Sequence, residues 1–306
     1  MNRSYSLLLV AALAGAAWIA THATVRVEAG SRQVHFSVRG EADSCAGLRV
    51  NTNGQLARAE ESFTAPKGAP LEINASERGN IRVIGSARSD FQVQACKIAV
   101  GDTRAEAEGK LGRIAVGHSG ARFTSSGPSE GEWLVYFIVH APKEAALDLE
   151  TRNGPISVEG VEGKIRTRAG NGPISLDECS GDVQARVSNG PITFTGRGGN
   201  VSLATQNGPV TLHLTGDEWK GPLLEARTVN GPLSLHLPET YRSGVQVDTS
   251  GHAPFACRSE LCRQARTDAR GGHRSIRLNR ARPVVRLSTE HGPVAVNSDR
   301  RGPRMI

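Results

Sequence analysis

Asn-Gly-Pro followed by an aliphatic residue occurs at Asn153 to Ile156, Asn171 to Ile174, Asn189 to Ile192, Asn207 to Val210 and Asn230 to Leu233, and an altered copy reads His291-Gly292-Pro293-Val294. The first three intervals are eighteen residues each; the fourth is twenty-three, with five residues added around Asp217 to Pro222. A fixed period this short confines the chain to repeat architectures, because one such unit cannot bury its own apolar face and must stack on its neighbours. Register within the unit is equally regular. Counting from each Pro, phases one and three are apolar: Ile156 and Val158, Ile174 and Leu176, Ile192 and Phe194, Val210 and Leu212, Leu233 and Leu235. That is the alternation of a strand with one buried face. A second alternating run holds Leu147, Leu149 and Thr151, then Val183, Ala185 and Val187, Val201, Leu203 and Thr205, and Val285, Leu287 and Thr289. Gly163, Gly181, Gly199 and Gly221 recur between the runs, where a turn needs positive φ or close backbone approach.

The expected fold is therefore all-β: a single-chain β-solenoid, similar to a parallel β-helix, with coils of about eighteen residues and two strands per coil. Equivalent residues would lie about 4.8 Å apart along the stack. An antiparallel sandwich is the rival, but it does not require constant spacing with the same phase inward. Composition agrees: 35 Gly and only 4% aromatic residues argue against a helical chain, and the recurring Val, Ile and Leu argue against disorder. Repeats are expected over 61–296, with regular coils at 147–237. Upstream, Leu71, Ile73, Ile81 and Val83 around Gly79 read as a degenerate coil, and Phe91 to Ala95 and Trp133 to Val139 read as strands. Residues 24–60 read as an N-terminal cap or hairpin and 297–306 as a basic tail.

Residues 1–23 have the form of a secretory signal: Arg3, a fourteen-residue uncharged run from Leu7 to Ala20, and the small-residue site Thr21-His22-Ala23. An uncleaved anchor is the alternative; the run is shorter than the roughly 20 residues of a membrane span, and no integral span is expected after cleavage. Export to the periplasm, cell envelope or exterior of a bacterium makes the five cysteines readable as disulfide candidates. Cys257 and Cys262 flank a short polar stretch and read as a stapled loop; Cys45 and Cys96 are the second pair. Cys179 falls on an inward phase and reads as a small buried hydrophobe.

The succession of a strand ending at Pro142, then Leu-x-Leu-x-Thr-x-Asn-Gly-x-Ile-x-Val-x-Gly-Val-x-Gly from Leu147 to Gly163, then further Asn-Gly-x-Ile copies, resembles the bacterial β-strand-repeat family labelled putative adhesins. The resemblance covers Leu71 to Val296 and implies an exported or envelope-associated β-solenoid. It transfers no catalytic residue. Pro after each Asn-Gly and the Cys257 to Cys262 loop depart from the family pattern.

The repeated amides, Asn153, Asn171, Asn189, Asn207 and Asn230, are expected to stack as an internal hydrogen-bonded ladder. No metal-binding or nucleotide-binding motif occurs, so no metal, cofactor or catalytic residue is assigned. Outward phase four offers Glu159 and Asp177 as an acidic pair on adjacent coils, the basis of an alternative reading as a carbohydrate-active β-helix enzyme, and places His213 and His236 together. Phase two is a small-hydroxyl stripe: Ser157, Ser175, Thr193, Thr211 and Ser234. Charge is more directive. From Tyr241 to Ile306 there are 13 Arg and no Lys against 5 acids, a net +8, while the rest of the mature chain holds −2. For an exported chain this points away from nucleic acid and toward an anionic envelope polymer, lipid headgroups or an acidic protein surface, with Arg280, Arg282, Arg300, Arg301 and Arg304 as the candidate anion-binding residues. The leading expectation is a non-catalytic, adhesin-like interaction surface; a self-assembling envelope scaffold is a further alternative.

Overall fold

The computed structural model describes residues 23–25, 36–39, 42–75, 78–250 and 253–299. The chain is all-β, and among the described residues a single α-helix, Arg104–Leu111, interrupts the strands. The two strand runs of each repeat separate into two large sheets. Strands Ile156–Glu159, Ile174–Asp177, Ile192–Gly196, Val210–Leu214, Leu233–Pro238 and Val294–Asp299 pair in parallel in the first sheet. Their alternates form the second: Leu147–Asn153, Glu162–Asn171, Ser180–Asn189, Gly198–Asn207, Lys220–Asn230 and Pro283–His291. In the first sheet register is identical from unit to unit, with Ile156, Ile174, Ile192, Val210, Leu233 and Val294 in one row, all buried. Because strand side chains alternate between faces, this one register sends every phase-one and phase-three residue into the space between the sheets.

Both corners of the repeat unit are built on glycine columns. A Cβ on Gly172, Gly190, Gly208 or Gly231 would lie 2.1 to 2.4 Å from the carbonyl oxygen of the preceding corner glycine. The other corner repeats the arrangement through Gly163, Gly181, Gly199 and Gly221. The inserted residues of the twenty-three-residue unit make a plug: Trp219 is buried, its ring centroid 6.1 Å from that of Phe194, and its Nε1–H donates to Gly199 O at 3.1 Å.

At both ends, spatial order departs from chain order. The altered repeat, Pro283–His291 with Val294–Asp299, sits directly on the fifth unit, and the earlier strands Gly244–Ser250 and Phe255–Arg258 lie outside it. Likewise Leu71–Asn74 and Gly79–Ser86 are enclosed between the first regular unit and the later strands Arg122–Ser126 and Glu132–Pro142. Antiparallel pairing also enters here, since Asp90–Gly101 runs opposite to both its neighbours, Gln55–Pro66 and Glu132–Pro142. The stack is thus parallel through its repeats and mixed at its ends, where sequential coil-on-coil winding was the expectation.

A second, smaller core lies on the outer face of the first sheet. Leu134, Tyr136 and Ile138 alternate with core residues of strand Glu132–Pro142, and Cys96, Ile98 and Val100 do so on its neighbour, so both strands are buried on both faces. The segment carrying Ala42 and Leu48 covers them, tied down by the Cys45–Cys96 disulfide. At this end Ala23–Val25, Phe36–Arg39 and Arg49–Thr52 form a small antiparallel sheet, the segment carrying Ala42 and Leu48 covers a sheet flank, and strand Gln55–Pro66 continues across position 60.

The helix was not anticipated by the alternating pattern, yet it carries a start signal. Thr103 Oγ1 accepts the Glu106 N–H at 3.2 Å, and the Glu106 carboxylate reaches back to the Asp102 N–H at 2.9 Å, a variant of the Ser/Thr-x-x-Glu capping arrangement.

Candidate functional site

The five ladder asparagines are joined amide to amide: Asn171 Nδ2 donates to Asn153 Oδ1 at 2.8 Å, and Asn189, Asn207 and Asn230 each donate to the preceding Oδ1 at 2.9 Å. These bonds run along the exposed corner of the coil, where an internal row was expected, because the Asn side chain follows the outward phase of its strand. Inside that corner a different column works. Thr151, Thr205 and Thr228 are buried and donate to the carbonyls of Gly79, Gly190 and Gly208 at 2.9 to 3.0 Å.

Glu159 and Asp177 are in register on adjacent strands. The Glu159 carboxylate is engaged from the other side by Arg82, whose side chain is only 7% exposed and whose Nη2 lies 3.2 Å from both Glu159 and Asp43. That guanidinium joins the repeat stack to the covering segment, and the sequence pattern gave no sign of it because Arg82 sits on an ordinary outward strand phase. His213 and His236 stack with centroids 4.7 Å apart and planes 19° from parallel. Among the described residues, no three His, Cys, Asp or Glu side chains are grouped to hold a metal ion. Ser157, Ser175, Thr193, Thr211 and Ser234 form one outward row, which Ala295 extends.

The basic C-terminal region assembles on the outer face of the second sheet. Hairpin Arg266–Arg270 and His273–Arg277 turns through Gly271 and Gly272, whose φ values of 56° and 79° suit a tight two-residue hairpin tip. The hairpin adds to Gly244–Ser250, which in turn lies beside Pro283–His291. Pairing then puts Arg266, Arg277, Gln246, Arg286 and Glu225 on five successive rungs. All three arginines are exposed. Four distant stretches of chain supply these five residues, so no local motif could have revealed the row.

Beside it is a groove of about 560 Å³ lined by polar and charged residues. Asp248, Asp268, Ser275 and Ser288 line it on successive rungs, together with Arg270, Arg274, His273 and His291. Asp248 accepts from Gln246 Nε2 at 2.9 and 3.1 Å, Asp268 pairs with Arg270 at 3.3 Å, and Arg227 pairs with Glu290. Arg280 and Arg282 are exposed in the turn that follows the hairpin. Asn279 Nδ2 fastens this turn, donating to Arg242 O and Ser243 O at 3.1 and 3.0 Å. Arg300, Arg301 and Arg304 lie outside the described residues.

Cys257 is paired with Cys262, and Phe255, Cys257 and Leu261 pack against the main core, so the stapled loop shields one end of the stack. Cys179 is free and buried; burial pushes its thiol up to about 12. At pH 8 roughly one molecule in ten thousand would then carry the thiolate. A thiol reagent should therefore leave Cys179 unmodified for hours in native buffer and label it within minutes in denaturant, as read by intact mass. Labelling at similar rates in both would contradict its burial.

No family model matches the chain, and no curated protein does. Solved structures to which it is similar include a putative cell adhesion protein from Clostridium sporogenes, 12% identical over 79% of this chain and 99% of the other, with a TM-score of 0.29. A putative adhesin from Bacteroides fragilis is 9% identical over 79% and 97%, with a TM-score of 0.36. A putative lipid binding protein from Parabacteroides distasonis is 10% identical over 79% and 97%, with a TM-score of 0.32.

Proposed function

We propose that this chain is an exported bacterial β-solenoid that acts as a non-catalytic, adhesin-like binding surface for anionic cell-envelope material, with the arginine-rich C-terminal end as the contact region. The observation that carries this reading is the row of exposed arginines on the second sheet, with Arg280 and Arg282 in the turn beyond it. Arg266 stands directly opposite Arg277, and like charges facing each other across a strand pair are destabilising unless a counter-anion relieves them. Guanidinium groups recognise carboxylates and phosphates through paired hydrogen bonds, which suits such a surface. Export is supported by the two cysteine pairs and by the signal-like first 23 residues. The engagement of Glu159 with Arg82 weighs against the enzymatic alternative, which needs that carboxylate available for substrate.

Replacing Arg280, Arg282, Arg300, Arg301 and Arg304 by Gln should weaken binding to immobilised polyanionic polysaccharide by about tenfold or more at low salt, since five exposed pairs at about 0.3 kcal/mol each sum to about 1.5 kcal/mol. Raising salt toward about 0.5 M should weaken the unaltered protein similarly, because screening of exposed charges strengthens with ionic strength. The circular dichroism spectrum should not change. Binding untouched by both the substitutions and the salt would remove the electrostatic reading.

A further inference from the structure

We infer that the partner of this face is an acidic polysaccharide, held by its carboxylates on the arginine row and by its hydroxyls in the adjoining groove; the inference rests on the polyanion-binding function proposed above. The row supplies three guanidiniums on four successive rungs, Arg266, Arg277 and Arg286 with Gln246 between the last two. At about 4.8 Å per rung it is a track of about 14 Å running across the strands, and Glu225 on the next rung closes it electrostatically. A linear polymer with one negative charge per residue fits a track of this kind. Among the described residues none of the three arginines has an acidic partner within 4 Å, so the track offers its charge outward.

Charge alone would accept polyphosphate, nucleic acid or an anionic lipid surface equally well. The groove discriminates. One strand repeat away, about 6.7 Å from the arginine row, the rungs carry Asp268, Ser275, Asp248, Ser288 and Arg227, and Arg270 and Arg274 also line the groove. Asp268 is paired with Arg270, and the Asp248 carboxylate beside the track repels a chain that is charged on every side, whereas it accepts hydrogen bonds from hydroxyls. Ser275 and Ser288 can donate as well as accept. Asp248 already receives the Gln246 amide, which holds its carboxylate toward the face and leaves further lone pairs for a ligand. A sugar acid has the matching layout, with a carboxylate on one side of the ring and hydroxyls on the other.

The test uses the full chain with three probes at equal charge concentration: polygalacturonate, polyphosphate, and vesicles containing phosphatidylglycerol. Polygalacturonate should bind at least about tenfold more tightly than polyphosphate. Substituting Arg266, Arg277 and Arg286 by Gln should weaken every polyanion about tenfold. Asp248→Asn with Ser288→Ala should weaken polygalacturonate about fivefold while leaving polyphosphate unchanged or tighter. Asp248→Asn alone gives the same sign with less perturbation. Equal binding of polyphosphate and polygalacturonate, a preference for vesicles, or an equal effect of the groove substitutions on all probes would overturn the polysaccharide assignment. Loss of binding to every probe by the unaltered protein would instead remove the function on which it rests.

Discussion

Gly208→Ala should destabilise the protein by at least about 3 kcal/mol in urea denaturation, at the upper end of what overpacking costs. The added Cβ would lie 2.1 Å from Gly190 O and 2.6 Å from its carbonyl carbon, far inside contact distance. Relief by backbone movement is blocked from both sides. Gly190 N donates to Asn207 O at 2.8 Å and Gly208 N donates to Asn230 O at 2.9 Å, so separating the coils breaks ladder bonds that would otherwise be satisfied. The φ of 156° at Gly208 adds strain for any L-residue. Gly109→Ala is the internal comparison, because it lies in the helix with no atom within 4 Å of the new Cβ. There the expected change is a gain of about 0.5 to 1 kcal/mol. Equal urea midpoints for the two variants would refute the tight glycine column.

Inserting one alanine between Ile174 and Ser175 should be more damaging still. The slip turns Leu176, now fully buried, toward solvent and brings Ser175 and Asp177 inward. Losing a buried Leu costs about 2 to 5 kcal/mol, and an inward carboxylate without partners adds to that. Little folded protein is expected. The same insertion between Gly216 and Asp217 should cost less than about 1 kcal/mol, since both residues are exposed in the natural five-residue insertion. The loop should nevertheless keep Trp219 in place, a point that fluorescence can follow. Comparable melting temperatures for the two insertions would contradict register-locked stacking.

The repeats were legible because their constraint is local and periodic. Alternation at Ile156 and Val158 already separates core from surface, and a constant eighteen-residue spacing leaves parallel, in-register pairing as its simplest solution. Glycine recurrence marked the corners for the same reason, since only backbone crowding repeated in every coil demands it. The amide row was legible as a ladder, but its placement on the exposed corner depended on which way the Asn phase faces once the turn is formed.

Other features have no local signature. The enclosure of Pro283–His291 between units that precede it in the chain is decided by competition among strands for a free sheet edge, a contest between segments far apart in sequence. The two-sided burial of Glu132–Pro142 depends on a covering segment from about ninety residues earlier and on Cys45 meeting Cys96. Charge composition announced a basic C-terminal region, and only pairing turned it into a row and a groove, because outward side chains answer to solvent and are free of the packing that imposes periodicity on the core. The amino-acid sequence by itself determined the repeating unit, its inward set and its corners, through steric rules that act within a few residues. Tertiary structure alone decided the order of the end strands, the buried Arg82 between Asp43 and Glu159, and the alignment of Arg266, Arg277 and Arg286, since each is a contact between segments whose separation along the chain carries no energy until they meet.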